Sequence, residues 1–107
     1  EGMEEYEDMY FIESIPHTWL FPKMAGVIHH GGAGTTAAAF RAGVPSVIVP
    51  HGNDQFAWGK RTEELGVGSS PIPRKKLTVD NLTEGINKML EMEIVENAFE
   101  LGKKLQR

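Results

Sequence analysis

The chain has 107 residues, 40% hydrophobic and 24% charged, which is enough for one small globular domain with a single core. A net charge of −4 argues against a nucleic-acid-binding surface, and the one dense basic run, Arg74-Lys75-Lys76, is interpreted as a solvated loop. The absence of cysteine excludes disulfides and thiolate metal sites, and no apolar run approaches the ~18 residues that a membrane span needs.

The start of the chain is predicted to be peripheral to the fold. Residues 1–8 are acidic and without periodicity, and residues 10–12 favour a short strand. Residues 1–13 are therefore predicted to be a frayed start with an edge strand.

Two strand patterns flank a helix in the middle of the chain. Residues 26–29 form an apolar run that predicts a buried strand. Residues 37–42 have high helix propensity, and Gly43 is suited to end their helix. Residues 46–50 form a β-branched run that is typical of a parallel strand covered on both faces.

The remainder of the chain is predicted to be mainly helical. Three helices are predicted, from Asp54 or Gln55 to Leu65, from the N-cap Thr78 to Leu90, and over residues 95–105. The predicted order is strand, helix, strand, helix, short strand and further helices, which is typical of an α/β fold with a Rossmann-like parallel sheet. Because only about three strands can be recognised, we expect this sheet to be part of a larger domain.

The stretch "HHGGAGTTAAAFRAGVP" joins the first of these parallel strands to its helix. Unpaired N–H groups at such a turn lie at the positive end of the helix dipole, where they bind anions. Gly31, Gly32 and Gly34 let an anion approach the backbone, since no Cβ atoms intervene. Thr35 and Thr36 add hydroxyl donors. The turn is predicted to bind phosphate, the alternative being a tight connection only.

A dinucleotide site is the first alternative for this turn. "GAGTTA" fits the fingerprint G-x-G-x-x-G/A, and Asp54 follows at about the expected 20 residues. The ribose-binding acid of that fingerprint ends the second strand, however, whereas Asp54 comes after a further loop. No G-K-[ST] follows, so a P-loop is also excluded. A phosphate site of another kind is favoured.

The polar residues around the turn predict the rest of the site. His30 is placed to donate a hydrogen bond to a phosphate, whereas His29 alternates to the other face and is predicted to be structural. Asp54 and Gln55 combine an acceptor-only carboxylate with an amide that donates and accepts, which suits sugar hydroxyls. Asp54 could at the same time be the N-cap of its helix.

Three motifs in combination, "PHTWLFP", "HHGGAGTT" and "PIPRKKLT", resemble the sterol 3-β-glucosyltransferases. The resemblance runs from about Ser14 to Leu90. It implies the UDP-glucose-binding part of an inverting enzyme of the GT-B fold, with residues 14–107 as the C-terminal half of the donor-binding domain.

The resemblance implies a set of UDP-glucose-binding residues: His30, Ala33, Gly34 and Thr35 at the diphosphate, Asp54 and Gln55 at the glucose, and Ile15 and His17 near the uridine. The sequence departs from the family pattern at two places. Ala38 stands where plant relatives have a ribose-binding glutamate, so ribose recognition is expected to come from another residue. "HGN" replaces a more usual aromatic-containing loop before Asp54, which leaves acceptor and sugar preference open.

The resemblance also implies that the acceptor and the catalytic base belong to an N-terminal domain. We therefore expect a fragment of a longer cytoplasmic enzyme, with at most peripheral membrane contact, that needs no metal or cofactor besides its UDP-sugar. It is expected to be inactive alone and to self-associate through an edge strand. Two alternatives stay open: a partner-dependent GT-B donor-binding subunit, and a transferase for another lipid or natural-product acceptor.

Overall fold

The computed structural model of the protein describes residues 5–6, 9–10 and 25–106. The elements in chain order are β1 (Glu5–Tyr6), β2 (Met9–Tyr10), β3 (Val27–His29), α1 (Ala33–Ala42), β4 (Ser46–Ile48), α2 (Asn53–Glu64), a 3₁₀ turn (Arg74–Lys76), α3 (Val79–Met89) and α4 (Met92–Leu105). β1 and β2 pair antiparallel. The predicted strand over residues 10–12 and the boundary after residue 13 lie largely outside the described residues.

The central sheet is built on the parallel pair of β3 and β4. The register places Ile28 opposite Val47 and His29 opposite Ile48. The Val49 N–H continues the pairing by donating to the His29 carbonyl oxygen at 2.8 Å. The strand predicted over residues 46–50 is therefore confirmed, although β4 itself ends two residues earlier than predicted.

A third segment, residues 67–74, runs along the other side of β4. The Ser46 N–H donates to the Val67 carbonyl oxygen at 3.1 Å, and a parallel bridge joins Ser46 to Gly68. Further along, the Ile72 N–H donates to the Ile48 carbonyl oxygen at 3.0 Å. The sheet thus has a third, irregular parallel member, which follows β4 toward the same carboxyl edge.

The hydrophobic core lies between β4 and the helices that cover it. Val47 and Met89 are fully buried and pack with Ile72, while Ile28, Leu82 and Ile86 surround them. All three residues of β4 are buried, as predicted for a strand that is covered on both faces. α3 packs against β4, and α4 packs against α1.

The predicted helix ends are mostly confirmed. Gly43 adopts φ 76° after α1 and donates its N–H to the carbonyl oxygens of Ala39 and Phe40. Thr78 is the N-cap of α3, where its Oγ1 accepts the Asn81 N–H at 3.0 Å. In return, the Thr78 N–H donates to Asn81 Oδ1 at 2.8 Å, and this reciprocal pair of bonds fixes where α3 begins.

Two expectations about helix starts are wrong. The N-cap of α2 is Gly52, and Asp54 lies within the first turn, so Asp54 favours this helix through its charge near the dipole and not as a cap. α4 begins at Met92, three residues earlier than predicted. No helix in the described part of the chain combines the length and the apolarity that crossing a membrane requires.

Candidate functional site

His29 anchors the turn between β3 and α1. Its side chain is 4% exposed, its Nδ1 accepts the Gly31 N–H at 3.0 Å, and its Nε2 lies 3.3 Å from Ser46 Oγ. Because Nδ1 accepts, the proton of the neutral imidazole is on Nε2, which therefore donates to the Ser46 hydroxyl. The prediction that His29 is structural is confirmed.

Gly31 brings the turn into direct contact with the start of α2. Its φ is 94°, and a Cβ at this position would lie 2.8 Å from Ile48 Cγ2 and 3.0 Å from the Gln55 carbonyl oxygen. A side chain would fit neither the backbone conformation nor the space. The close contact brings the glycine-rich turn next to Asp54 and Gln55, as the sequence predicted for the two halves of the site.

The next two glycines face open space. A Cβ at Gly32 or Gly34 would meet no atom of the described residues within 4 Å, and neither glycine has a positive φ. The described part of the fold therefore gives no steric reason for glycine at these two positions. A backbone that must be approached closely by something outside the chain would give one.

The N-terminus of α1 presents backbone donors without intrahelical partners at this opening. Gly32 is the N-cap and provides no side-chain cap, and the first intrahelical bond runs from the Thr36 N–H to the Gly32 carbonyl oxygen at 2.9 Å. The N–H groups of Ala33, Gly34 and Thr35 precede that bond and have no intrahelical partner. These three residues, which we call the cradle, have the backbone geometry expected of the phosphate-binding turn that the sequence predicts.

The two threonines of α1 have different environments. Thr35 is half-buried in the first turn, whereas Thr36 is 1% exposed. Thr36 Oγ1 is enclosed by protein and has no hydrogen-bond partner among the described residues. The expectation that Thr36 adds a hydroxyl donor to the cradle is wrong, because the helix turns this residue toward the interior.

Gln55 links the start of α2 to the loop after β4. Its Oε1 accepts the His51 N–H at 2.6 Å, which fixes the orientation of the amide and directs its NH₂ group away from that bond. Asp54, one residue earlier, is exposed in the first turn. An exposed carboxylate and an oriented amide donor therefore lie side by side, one strand away from the cradle.

His30 and His51 lie against each other at this edge. Their ring centroids are 3.9 Å apart with an interplanar angle of 32°. Desolvation by surrounding atoms lowers the pKa of His51, and the charges of His30 and Arg74 lower it further. His51 is not among the binding residues predicted from the sequence, although its place directly after a strand is a usable signal.

The arrangement is suited to a ligand that carries both phosphate and hydroxyl groups. Backbone donors and imidazoles attract anions, and a carboxylate beside an amide binds hydroxyls. Both sets lie at the carboxyl edge of parallel strands, where ligands of open α/β sheets bind. Ile15 and His17 lie outside the described residues. Within the described ranges, no three His, Asp or Glu side chains are grouped so that they could hold a metal ion.

A family model described as "Erythromycin biosynthesis protein CIII-like, C-terminal domain" matches residues 7–104. The chain belongs to this family. The match covers β3, α1, β4 and α2, and thus every described part of the site.

Among curated proteins, the chain is similar to sterol 3-beta-glucosyltransferases. It is 48% identical over 100 residues to UGT80B1 of Arabidopsis thaliana, covering 94% of this chain and 16% of that protein. It is 43% identical over 108 residues to the enzyme of Vanderwaltozyma polyspora, covering 100% of this chain and 9% of that protein. The resemblance found in the motifs is confirmed, and the chain spans only a small part of the length of these relatives.

The fold is also that of solved glycosyltransferases. The glycotransferase of kitacinnamycin aligns with a TM-score of 0.76 at 25% identity, covering 86% of this chain and 24% of that one. The glycosyltransferase VinC, solved in complex with dTDP, aligns with a TM-score of 0.76 at 29% identity, covering 87% and 24%. The predicted fold class, part of the C-terminal domain of a GT-B glycosyltransferase, is confirmed.

Proposed function

We propose that the chain is the UDP-glucose-binding portion of an inverting sterol glucosyltransferase. The observation that carries the proposal is the contact at Gly31, which brings an uncapped, glycine-lined helix N-terminus beside Asp54 and Gln55 at one sheet edge. The similarity to sterol 3-beta-glucosyltransferases supports glucose as the sugar and a sterol as the acceptor.

In this function the diphosphate of the donor binds at the cradle. The N–H groups of Ala33, Gly34 and Thr35 and the His30 ring contact its oxygens. These groups also stabilise the negative charge that grows on the departing UDP when the bond to glucose breaks, because they are preorganised before the reaction begins. Asp54 accepts hydrogen bonds from glucose hydroxyls, and the Gln55 NH₂ group donates one.

The catalytic base and the uridine-binding residues are not among the residues of the described site. The base that deprotonates the acceptor hydroxyl must come within hydrogen-bond distance of it, and no residue of this chain is assigned that role. We therefore expect the 107-residue chain to form no glucoside from UDP-glucose and a sterol. Ile15 and His17 are proposed to lie near the uridine.

Isothermal titration calorimetry tests the proposal. The chain should bind UDP-glucose and should bind NAD at least tenfold more weakly, which corresponds to about 1.4 kcal/mol. His30→Ala should weaken UDP-glucose binding about tenfold, the lower range for a hydrogen bond to a charged group. Lys60→Ala, on the exposed surface of α2, is the control and should leave binding unchanged. Equal binding of NAD, or unchanged binding in His30→Ala, would contradict the proposal.

A second candidate is a transferase that uses a dTDP-sugar on another acceptor. The observation that favours it is the likeness to VinC, which was solved with dTDP. UDP and dTDP differ by the ribose 2′-hydroxyl and the methyl group of thymine. A competition titration of the two nucleotides separates the candidates: tighter binding of UDP supports the first, and tighter binding of dTDP supports the second.

A further inference from the structure

Three segments of the sheet end side by side at the carboxyl edge, and each ends in a side chain that can carry positive charge. His30 follows β3, and His51 follows the extension of β4. On the far side of β4, the Arg74 N–H donates to the Pro50 carbonyl oxygen at 3.2 Å, which places Arg74 beside the residue before His51. Across the sheet, the order is therefore His30, His51 and Arg74.

The charges of both neighbours act on the His51 ring. Its ring lies against that of His30, and besides desolvation the positive charges of His30 and Arg74 lower its pKa. None of the ion pairs within residues 25–106 includes Arg74. Those ion pairs are Arg61–Glu64, Lys88–Glu91 and Lys103–Glu100. Positive groups that lie close together are stabilised when an anion binds among them.

We propose that Arg74 is a further donor-binding residue, whose guanidinium contacts phosphate oxygens of the bound nucleotide from the side of β4 opposite to β3. The inference rests on the proposed function, which places the diphosphate at this edge. Arginine suits the role because its planar group can form two parallel hydrogen bonds to one phosphate.

Lys76, two residues after Arg74, has the same charge but a different position. A 3₁₀ turn rotates each successive residue by about 120°, so adjacent side chains of residues 74–76 face different directions. Lys76 lines a separate groove between residues 68–73 and α3, where its carbonyl oxygen accepts the Asn81 Nδ2 amide at 2.7 Å. Lys76 is thus a matched control for the loss of one positive charge.

The test compares nucleotide binding by Arg74→Ala and Lys76→Ala in the full 107-residue chain. Arg74→Ala should weaken UDP binding about tenfold and leave uridine binding unchanged, because only UDP carries phosphates. Lys76→Ala should bind UDP within about twofold of the wild type, and Arg74→Lys should restore part of the loss. Circular dichroism checks that each variant folds.

The outcomes separate this inference from the proposed function. If the wild-type chain binds no UDP, the proposed function fails. If it binds UDP and Arg74→Ala binds it as tightly, or if Lys76→Ala loses as much, only the role of Arg74 fails. A histidine NMR titration without nucleotide gives a second readout: Arg74→Ala should raise the pKa of His51, whereas an unchanged pKa would place Arg74 away from the edge and overturn the inference.

Discussion

Gly34→Ala is expected to stabilise the fold while it weakens nucleotide binding. The new Cβ meets no atom within 4 Å in residues 25–106, and the residue lies in the first turn of α1. Alanine restricts the unfolded chain and favours the helix, so the free energy of unfolding should rise by about 0.5 kcal/mol. For a chain of this size, that corresponds to an increase in Tm of about 2–4 °C.

Under the proposed function, the same Cβ occupies space that the diphosphate needs. Displacing the anion from the N–H groups of the cradle should remove about one charge-assisted hydrogen bond, or about 1.5 kcal/mol, which weakens UDP binding roughly tenfold. Differential scanning fluorimetry measures the first effect, and calorimetry with UDP measures the second. A higher Tm together with weaker UDP binding is the result expected if glycine is required here by the ligand and not by the fold.

Gly31→Ala is the comparison variant for this experiment. Here the positive φ costs about 1–2 kcal/mol and the contacts with Ile48 and Gln55 cost about 1–3 kcal/mol more, so the free energy of unfolding should fall by about 2–5 kcal/mol. If Gly34→Ala binds UDP as tightly as the wild type, the cradle is not where the diphosphate lies and the reasoning is refuted.

Three further variants test other parts of the site. His29→Ala should lower the free energy of unfolding by about 2–4 kcal/mol in urea titrations, because it leaves a cavity and unpairs the buried Gly31 N–H; a loss under 0.5 kcal/mol would contradict the anchoring role. Because folding lowers the pKa of His51 from its ordinary 6.5, the unfolded chain binds more protons, and stability should rise with pH through the window just below 6.5. His51→Gln should flatten that rise, and an identical pH profile would refute the effect. Asp54→Asn should weaken UDP-glucose binding about tenfold but leave UDP binding unchanged in calorimetry, since only the sugar contacts Asp54; equal losses would place Asp54 at the nucleotide.

Local signals in the sequence were sufficient to predict elements that a single residue or a short run determines. The β-branched run predicted β4, Gly43 predicted the end of α1, and Thr78 predicted the start of α3. The start of α4 was missed because its N-cap, Glu91, forms no side-chain cap and therefore gives no recognisable signal. The additional N-cap role considered for Asp54 was wrong, because Gly52, two residues earlier, is the N-cap of α2.

The contacts that assemble the site join residues far apart in the chain. The sequence could place the cradle and the pair Asp54-Gln55 at one edge, because parallel strands share their carboxyl ends. It could not show that Gly31 touches Gln55, that His51 lies against His30, or that Arg74 follows β4 to the same edge. Those contacts depend on the packing of the turns and on the irregular path that the third segment takes beside β4.

The central claim is that a nucleoside diphosphate sugar binds across the ends of β3 and β4. A ¹H–¹⁵N NMR titration of the chain with UDP-glucose tests it at the level of single amides. The largest saturable shifts should fall on Ala33, Gly34 and Thr35 and on Asp54 and Gln55. Shifts confined to the groove between residues 68–73 and α3, or no saturable shift at all, would contradict it.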